Sequence, residues 1–197
     1  MSTRPGRTSA QPPQRTDARL NRERLLATAQ EVFAEAGPEA SLNEIARRAG
    51  VGPGTLYRHF PNRSALLTAV LRDRIETLCE TAEELLSAES ADDALAQWLH
   101  GFLAHARLNK GMGGALMIEE PAALGIDCHQ LILHSAAALL SRAQQQGTAR
   151  ADLSADDVIR LVVGIALSTA RTEDPGQPDR LLALVLDAAH RPPQGSA

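Results

Sequence analysis

The sequence predicts an all-α protein: a three-helix, N-terminal head containing a helix-turn-helix, followed by a larger helical body. Three observations predict it. Ala, Leu, Glu, Arg and Gln dominate the 197 residues, aromatics make up 3%, and β-branched runs are few, a composition that favours helix throughout. Apolar positions recur at spacings of three and four, the period of one helix face. Short breaks rich in Gly and Pro separate these stretches. With 44% apolar residues the chain can bury a core, as one large domain or two small ones.

The net charge of −4 conceals an asymmetry. Residues 1–63 carry ten Arg against six Asp and Glu, a balance of +4, while residues 64–197 carry ten Lys and Arg against eighteen Asp and Glu, a balance of −8. A basic head on an acidic body directs only the head towards a polyanion; the alternative is a merely solvated charged surface. No apolar run approaches the roughly 18 residues of a membrane span, so no membrane partner is expected. The N-terminal "MSTRPGRTSAQPPQRTD" is basic without an apolar centre and is no signal peptide. Two cysteines, Cys79 and Cys128, make no disulfide framework and suit a reducing cytoplasm.

Residues 1–16 hold four prolines or glycines and little that is apolar, and read as a disordered basic arm whose Arg4, Arg7 and Arg15 can follow phosphates. The head spans 17–63. Its first helix runs from about Asp17 to Ala36, with Leu25, Leu26, Ala29, Val32, Phe33 and Ala36 on one face, until Gly37-Pro38 stops it. In "SLNEIARRAG", Ser41 followed three residues later by Glu44 is a capping-box signature, Leu42, Ile45, Ala46 and Ala49 face inward, and Gly50 supplies a positive-φ turn plugged by Val51. In "GPGTLYRHF", Gly52 is the N-cap and Pro53 takes the first helical position, where its missing N–H costs nothing. Gly54 carries no side chain where another backbone can approach. Leu56 and Phe60 then point inward and leave Thr55, Tyr57, Arg58 and His59 outside.

Helix, tight turn and short helix together form a helix-turn-helix, and its outward residues suit the major groove of double-stranded DNA, which admits one helix. Thr55 can bond a phosphate or touch a thymine methyl, Tyr57 offers a ring and a hydroxyl, Arg58 can grip guanine or phosphate, and His59 can donate to phosphate. Asn62 and Arg63 open the next helix, whose N-terminal dipole attracts phosphate. Ser41 and Asn43 lie on the same side. The competing account is a helical hairpin with an ordinary polar face.

The stretch "SLNEIARRAGVGPGTLYRHFPNRSALL" resembles the DNA-binding head of the TetR family of bacterial repressors, through Gly-Val, Thr-Leu-Tyr-x-His-Phe and Asn-Arg-x-x-Leu-Leu. The resemblance covers residues 20–75 and implies that Ser41, Asn43, Pro53, Thr55, Tyr57, Arg58, His59 and Arg63 contact DNA. Many relatives carry Ser and Lys where this chain has Gly52 and Pro53, so an operator sequence cannot be transferred. In the body, "ALAQWLHGFLAHARLNKG" and "DLSADDVIRLVVGIALSTA" resemble the SbtR-like branch of actinobacterial regulators.

The body, 64–197, opens with a helix from Asn62 to about Leu86 that links it to the head. Ser90-Ala-Asp-Asp93 caps the next, whose inner face carries Leu95, Trp98, Leu99, Phe102, Leu103 and Ala106, and "NKGMGG" is expected to break it. Pro121 and Gly125 interrupt the following segment, and a helix from about Asp127 to Gln146 ends at Gly147. Trp98, Phe102, Met112, Leu116, Met117 and Leu131 can line an apolar cavity, with His105, Cys128 and His134 as polar handles; ordinary core packing accounts for the same residues. The resemblance implies a pocket for an unidentified small-molecule effector between these helices. Over about 154–190 two helices are apolar nearly all round, which a small domain cannot cover alone. Ile159, Val163, Leu167, Leu181, Leu184 and Val185 are therefore expected in a homodimer interface of four helices, as the resemblance also implies.

His100 and His105, like His129 and His134, stand five apart and do not share a helix face, so no metal clamp is expected. The sequence has no His-Glu-x-x-His, no paired Cys-x-x-Cys and no Gly-rich phosphate loop, so neither an enzyme nor a cofactor is expected. The resulting expectation is a cytoplasmic homodimeric regulator on a palindromic operator, relieved by an effector. A DNA binder without effector, and a helical ligand-binding protein with a vestigial head, are the alternatives.

Overall fold

Helix α1 (Pro13–Ala36) ends where Gly37 takes φ +78° and its N–H still bonds the Phe33 carbonyl. The structure, a computed structural model, describes residues 13–119 and 127–190, and side chains within 17–107 and 127–190. After α1 come α2 (Leu42–Arg48), α3 (Pro53–His59), α4 (Arg63–Leu85), α5 (Ala91–Glu119), α6 (Cys128–Gln145), α7 (Ala155–Ser168) and α8 (Gln177–Ala189). Among the described residues the only extended pairing is one isolated antiparallel bridge, Ala149 with His190. The fold is all-α, as the composition requires.

The chain divides into two compact units, Met1–Leu66 and Leu67–Ala197, with the division in the first turn of α4. In the first unit α1, α2 and α3 pack on one another around Leu25, Leu26, Ala29, Phe33, Ile45, Leu56 and Phe60, all buried. The Arg22 guanidinium covers the Phe60 ring at 5.4 Å. Two expectations change here. The arm expected over 1–16 is helical from Pro13, because proline fits a first turn and Gln14 and Arg15 propagate helix; Arg4 and Arg7 lie outside the described residues. The capping box at Ser41 is only half made: Ser41 Oγ accepts the Glu44 N–H at 3.4 Å, but the Glu44 carboxylate turns to Arg47 and Arg48.

In the second unit α5 packs against α6, α7 and α8, α6 against α7, and α7 against α8. Ser90 and Ser154 cap as expected; Ser154 and Asp157 form a complete capping box. The break expected at "NKGMGG" is absent, since α5 continues to Glu119. Each glycine there costs roughly 1 kcal/mol of helix propensity but retains its N–H, and without proline the ladder is not cut. Pro121 and Gly125 lie outside the described residues. Trp98 anchors α5 on α4: fully buried, it donates Nε1–H to the Leu78 carbonyl at 2.9 Å. The far end of α4 is closed by Arg142 of α6, whose guanidinium donates to the Leu85 and Ala88 carbonyls, placing a cation at a helix C-terminus.

Candidate nucleic-acid interface

The turn into α3 is built from backbone chemistry. Ala49 ends α2, Gly50 takes φ +69°, and the Val51 N–H reaches back to the Ala46 carbonyl at 3.0 Å. Gly52 is the N-cap of α3 and Pro53 its first residue, and no side chain caps that end. Glycine at this N-cap has no side-chain oxygen with which to bond the free N–H groups of the first turn. Leu56 and Phe60 are buried, fixing the inner face. The outer face then follows from helix geometry: Tyr57 is 47% exposed, Arg58 is exposed, and Thr55 and His59 are half-buried. Among the described residues nothing beyond the local backbone of α3 lies within 4 Å of where a Gly54 side chain would begin, so the space there is open to an external backbone. Ser41 and Asn43 are exposed at the start of α2.

Electrostatics separate the head's arginines into two kinds. Arg47 and Arg48 are engaged with Glu44 at 2.7–2.9 Å, and Arg48 also reaches Glu35 of α1 at 2.7 Å. Hydrogen bonds from Arg47 and Arg48 hold the Glu44 carboxyl down at about 2. Arg58 has no hydrogen bond or ion pair to the described residues and projects its charge outward. Asn62 caps α4, its Oδ1 accepting the Ala65 N–H at 2.8 Å. Arg63, expected at a phosphate, places Nη1 between two carbonyls of its own chain, Pro38 at 2.5 Å and Ala40 at 2.7 Å.

Residues 25–70 match the family model described as "Bacterial regulatory proteins, tetR family", and residues 90–188 match "Transcriptional regulator SbtR-like, C-terminal domain". A TetR transcriptional regulator of known structure from Streptomyces coelicolor is 38% identical, with 86% of this chain and 98% of that chain covered and a TM-score of 0.75. The chain belongs to the TetR family of transcriptional regulators. A TetR protein from Mycobacterium vanbaalenii is 33% identical over 91% of this chain and 100% of its own, with a TM-score of 0.72. The transcriptional regulator UidR of Escherichia coli K12 is 28% identical over 156 residues, 76% of this chain and 80% of UidR. TetR regulators bind DNA and dimerise, and some bind small molecules.

Within this TetR body the expected cavity residues scatter. Trp98, Phe102 and His105 form one stacked ladder along α5, with ring centroids 5.7 and 6.4 Å apart, and all three are buried as core. Cys128 is buried at the start of α6, where burial pushes its thiol upward; neither it nor Cys79 is in a disulfide among the described residues. Leu131 and His134 are exposed on α6 and, with Asp127 and Gln130, border an open depression. The Met112, Leu116 and Met117 side chains lie outside the described residues. No group of three metal-ligating side chains occurs among the described residues, and no helix there is long and apolar enough to cross a membrane.

Burial, then the nearby Arg74 guanidinium, hold His105 neutral with its pKa lowered from 6.5 to about 4. The unfolded chain takes up this proton first, so the contribution to stability is complete above pH 6.5 and is lost as pH falls towards 4. Urea unfolding should therefore show stability declining between pH 6.5 and about 5, with a flatter profile for His105→Phe; superimposable profiles would contradict this.

The expected dimer residues also divide. Ile159 is buried against its own chain, on the stripe Val158, Val162, Ile165 and Ala166. Its burial within the single chain makes it part of the core of the body. Val163, Leu181 and Val185 are half-buried, while Leu167 is 56% and Leu184 63% exposed. Leu161, on the same helix, is 48% exposed. Its spacing of three from Gly164 and six from Leu167 marks one outer stripe, a signal hidden by the nearly continuous apolarity of this helix.

Proposed function

We propose that this TetR regulator is a repressor that holds a palindromic operator as a homodimer and releases it when a small molecule binds the body. The observation that carries the DNA contact is the pairing on α3 of an exposed Tyr57 with an exposed Arg58 that no side chain or carbonyl among the described residues engages, opposite a buried Leu56. Pro53, Gly54 and Thr55 lead α3 into the major groove with the backbone close to a strand. Tyr57 and Arg58 meet base edges and phosphate, and His59, Ser41, Asn43 and Asn62 bond the flanking phosphates. Two heads about 34–36 Å apart then enter successive major grooves on one face of the duplex.

The outer stripe of α7 and α8 supports the dimer. The effector region is proposed between α4, α5 and α6, reached from the side of Leu131 and His134. Effector and operator need only prefer different dimer geometries to oppose each other, a coupling typically worth about 1–3 kcal/mol. The helix α4, which begins in one unit and continues through the other, is the element such a shift would use.

The test is binding to the DNA immediately upstream of the gene for this chain, in about 150 mM salt with excess non-specific competitor. Footprinting of one palindromic stretch, with affinity falling steeply as salt rises, is the expected result. Binding erased by competitor would overturn sequence-specific regulation at that site. The footprinted DNA then serves as the probe for small molecules that release it.

A further inference from the structure

Arg63 stands at the first position of α4, where a cation opposes the helix dipole. Its charge is met by oxygen from elsewhere in the head. Nη1 donates to the Pro38 and Ala40 carbonyls, 25 and 23 residues earlier in the chain, and the side chain is partly buried in doing so. Those carbonyls flank Glu39 in the connection between α1 and α2. The Ala40 N–H turns back to the Gly37 carbonyl at 3.2 Å, and the next residue is Ser41, the N-cap of α2. One guanidinium thus ties the first turn of α4 to the peptide immediately before the helix that presents Ser41 and Asn43.

The geometry points to Arg63 as a positioning residue for operator binding: it fixes the N-terminus of α2 to α4 and does not itself neutralise a DNA phosphate. An arginine facing DNA leaves its donors open to solvent, as Arg58 does, whereas Arg63 directs Nη1 inward to neutral carbonyl oxygens. The same bonds make Arg63 the route by which a displacement of α4 would reach α2. Lysine would not replace it. The lysine Nζ falls where Cζ of arginine stands, one bond short of Nη1, and cannot hold both carbonyls at these distances.

The functional readout rests on the operator-binding reading above, while hydrogen exchange on the DNA-free protein reads the tie by itself. Three proteins are compared: wild type, Arg63→Ala and Arg63→Lys. In both variants the Glu44 and Ile45 amides, bonded to Ser41 Oγ and the Ser41 carbonyl, should exchange faster than in wild type. Operator affinity should fall about tenfold or more in both, because Ser41 and Asn43 lose their fixed position. The slope of log affinity against log salt should stay at the wild-type value, since the bonds Arg63 makes among the described residues go to neutral carbonyls and release no counterion from DNA. A slope shallower by about 0.9 per head in Arg63→Ala, with Arg63→Lys binding as wild type, is the signature of a direct phosphate contact and would overturn the proposal. So would unaltered amide exchange or unaltered affinity in Arg63→Ala. Should Arg63→Ala prove unfolded by circular dichroism, Arg63→Lys decides alone: wild-type binding and exchange reject the tie, and faster exchange with weaker binding at constant slope supports it. A wild type that binds no operator would reject the regulator reading, leaving the exchange comparison to judge the tie.

Discussion

Tyr57→Ala and Arg58→Ala are each expected to abolish specific operator binding while leaving the fold and the dimer intact. Both side chains point away from the core made by Leu56 and Phe60, and exposed substitutions of this kind usually alter stability by less than about 0.5 kcal/mol. On DNA the balance is different. A well-made base or phosphate contact is worth about 1–3 kcal/mol. A homodimer makes it twice, so one substitution removes roughly 2–6 kcal/mol, about thirtyfold to twenty-thousandfold in affinity. That range spans much of the gap between specific and non-specific binding. Fluorescence anisotropy on the footprinted DNA, with sizing and circular dichroism as controls, reads it. Tyr57→Phe separates the two uses of the tyrosine: retained affinity assigns the work to the ring, and a loss assigns it to the hydroxyl. Unchanged binding in Tyr57→Ala and Arg58→Ala would remove α3 as the recognition helix.

The head was legible because its signals are local. Ser41, Gly50, Gly52 and Pro53 act on the backbone within three or four residues of themselves, and α2, the turn and α3 fall where these residues dictate. Arg63 was not legible in this way. Its partners are more than twenty residues distant, and an arginine at a helix start reads equally as a phosphate contact until the carbonyls facing it are known. The same holds for Arg142, which closes α4 from another helix. "NKGMGG" misled because glycine lowers helix propensity without removing a donor; proline does both. Ile159 misled because a helix apolar on every side states that all its faces are covered, and not by which chain.

Leu184→Glu is expected to convert the dimer to a folded monomer. In the single chain Leu184 is 63% exposed, so a carboxylate there remains in water and leaves the core of the body undisturbed. At a twofold interface the outcome reverses. Each subunit forfeits the burial of a leucine, about 1.5–3 kcal/mol, and must also bury a carboxylate without a partner, which costs several kcal/mol more. Symmetry applies both penalties twice, so the dissociation constant should rise by at least about ten-thousandfold. Analytical ultracentrifugation at micromolar concentration should show a monomer whose helical circular dichroism matches wild type. Ile159→Glu provides the contrast: that side chain is 5% exposed, and the variant should lose its fold rather than its partner. If Leu184→Glu stays dimeric, the outer stripe of α7 and α8 is not the interface. If it becomes monomeric, operator affinity must collapse with α3 untouched, because one head alone retains only half of the contacts that a palindrome offers.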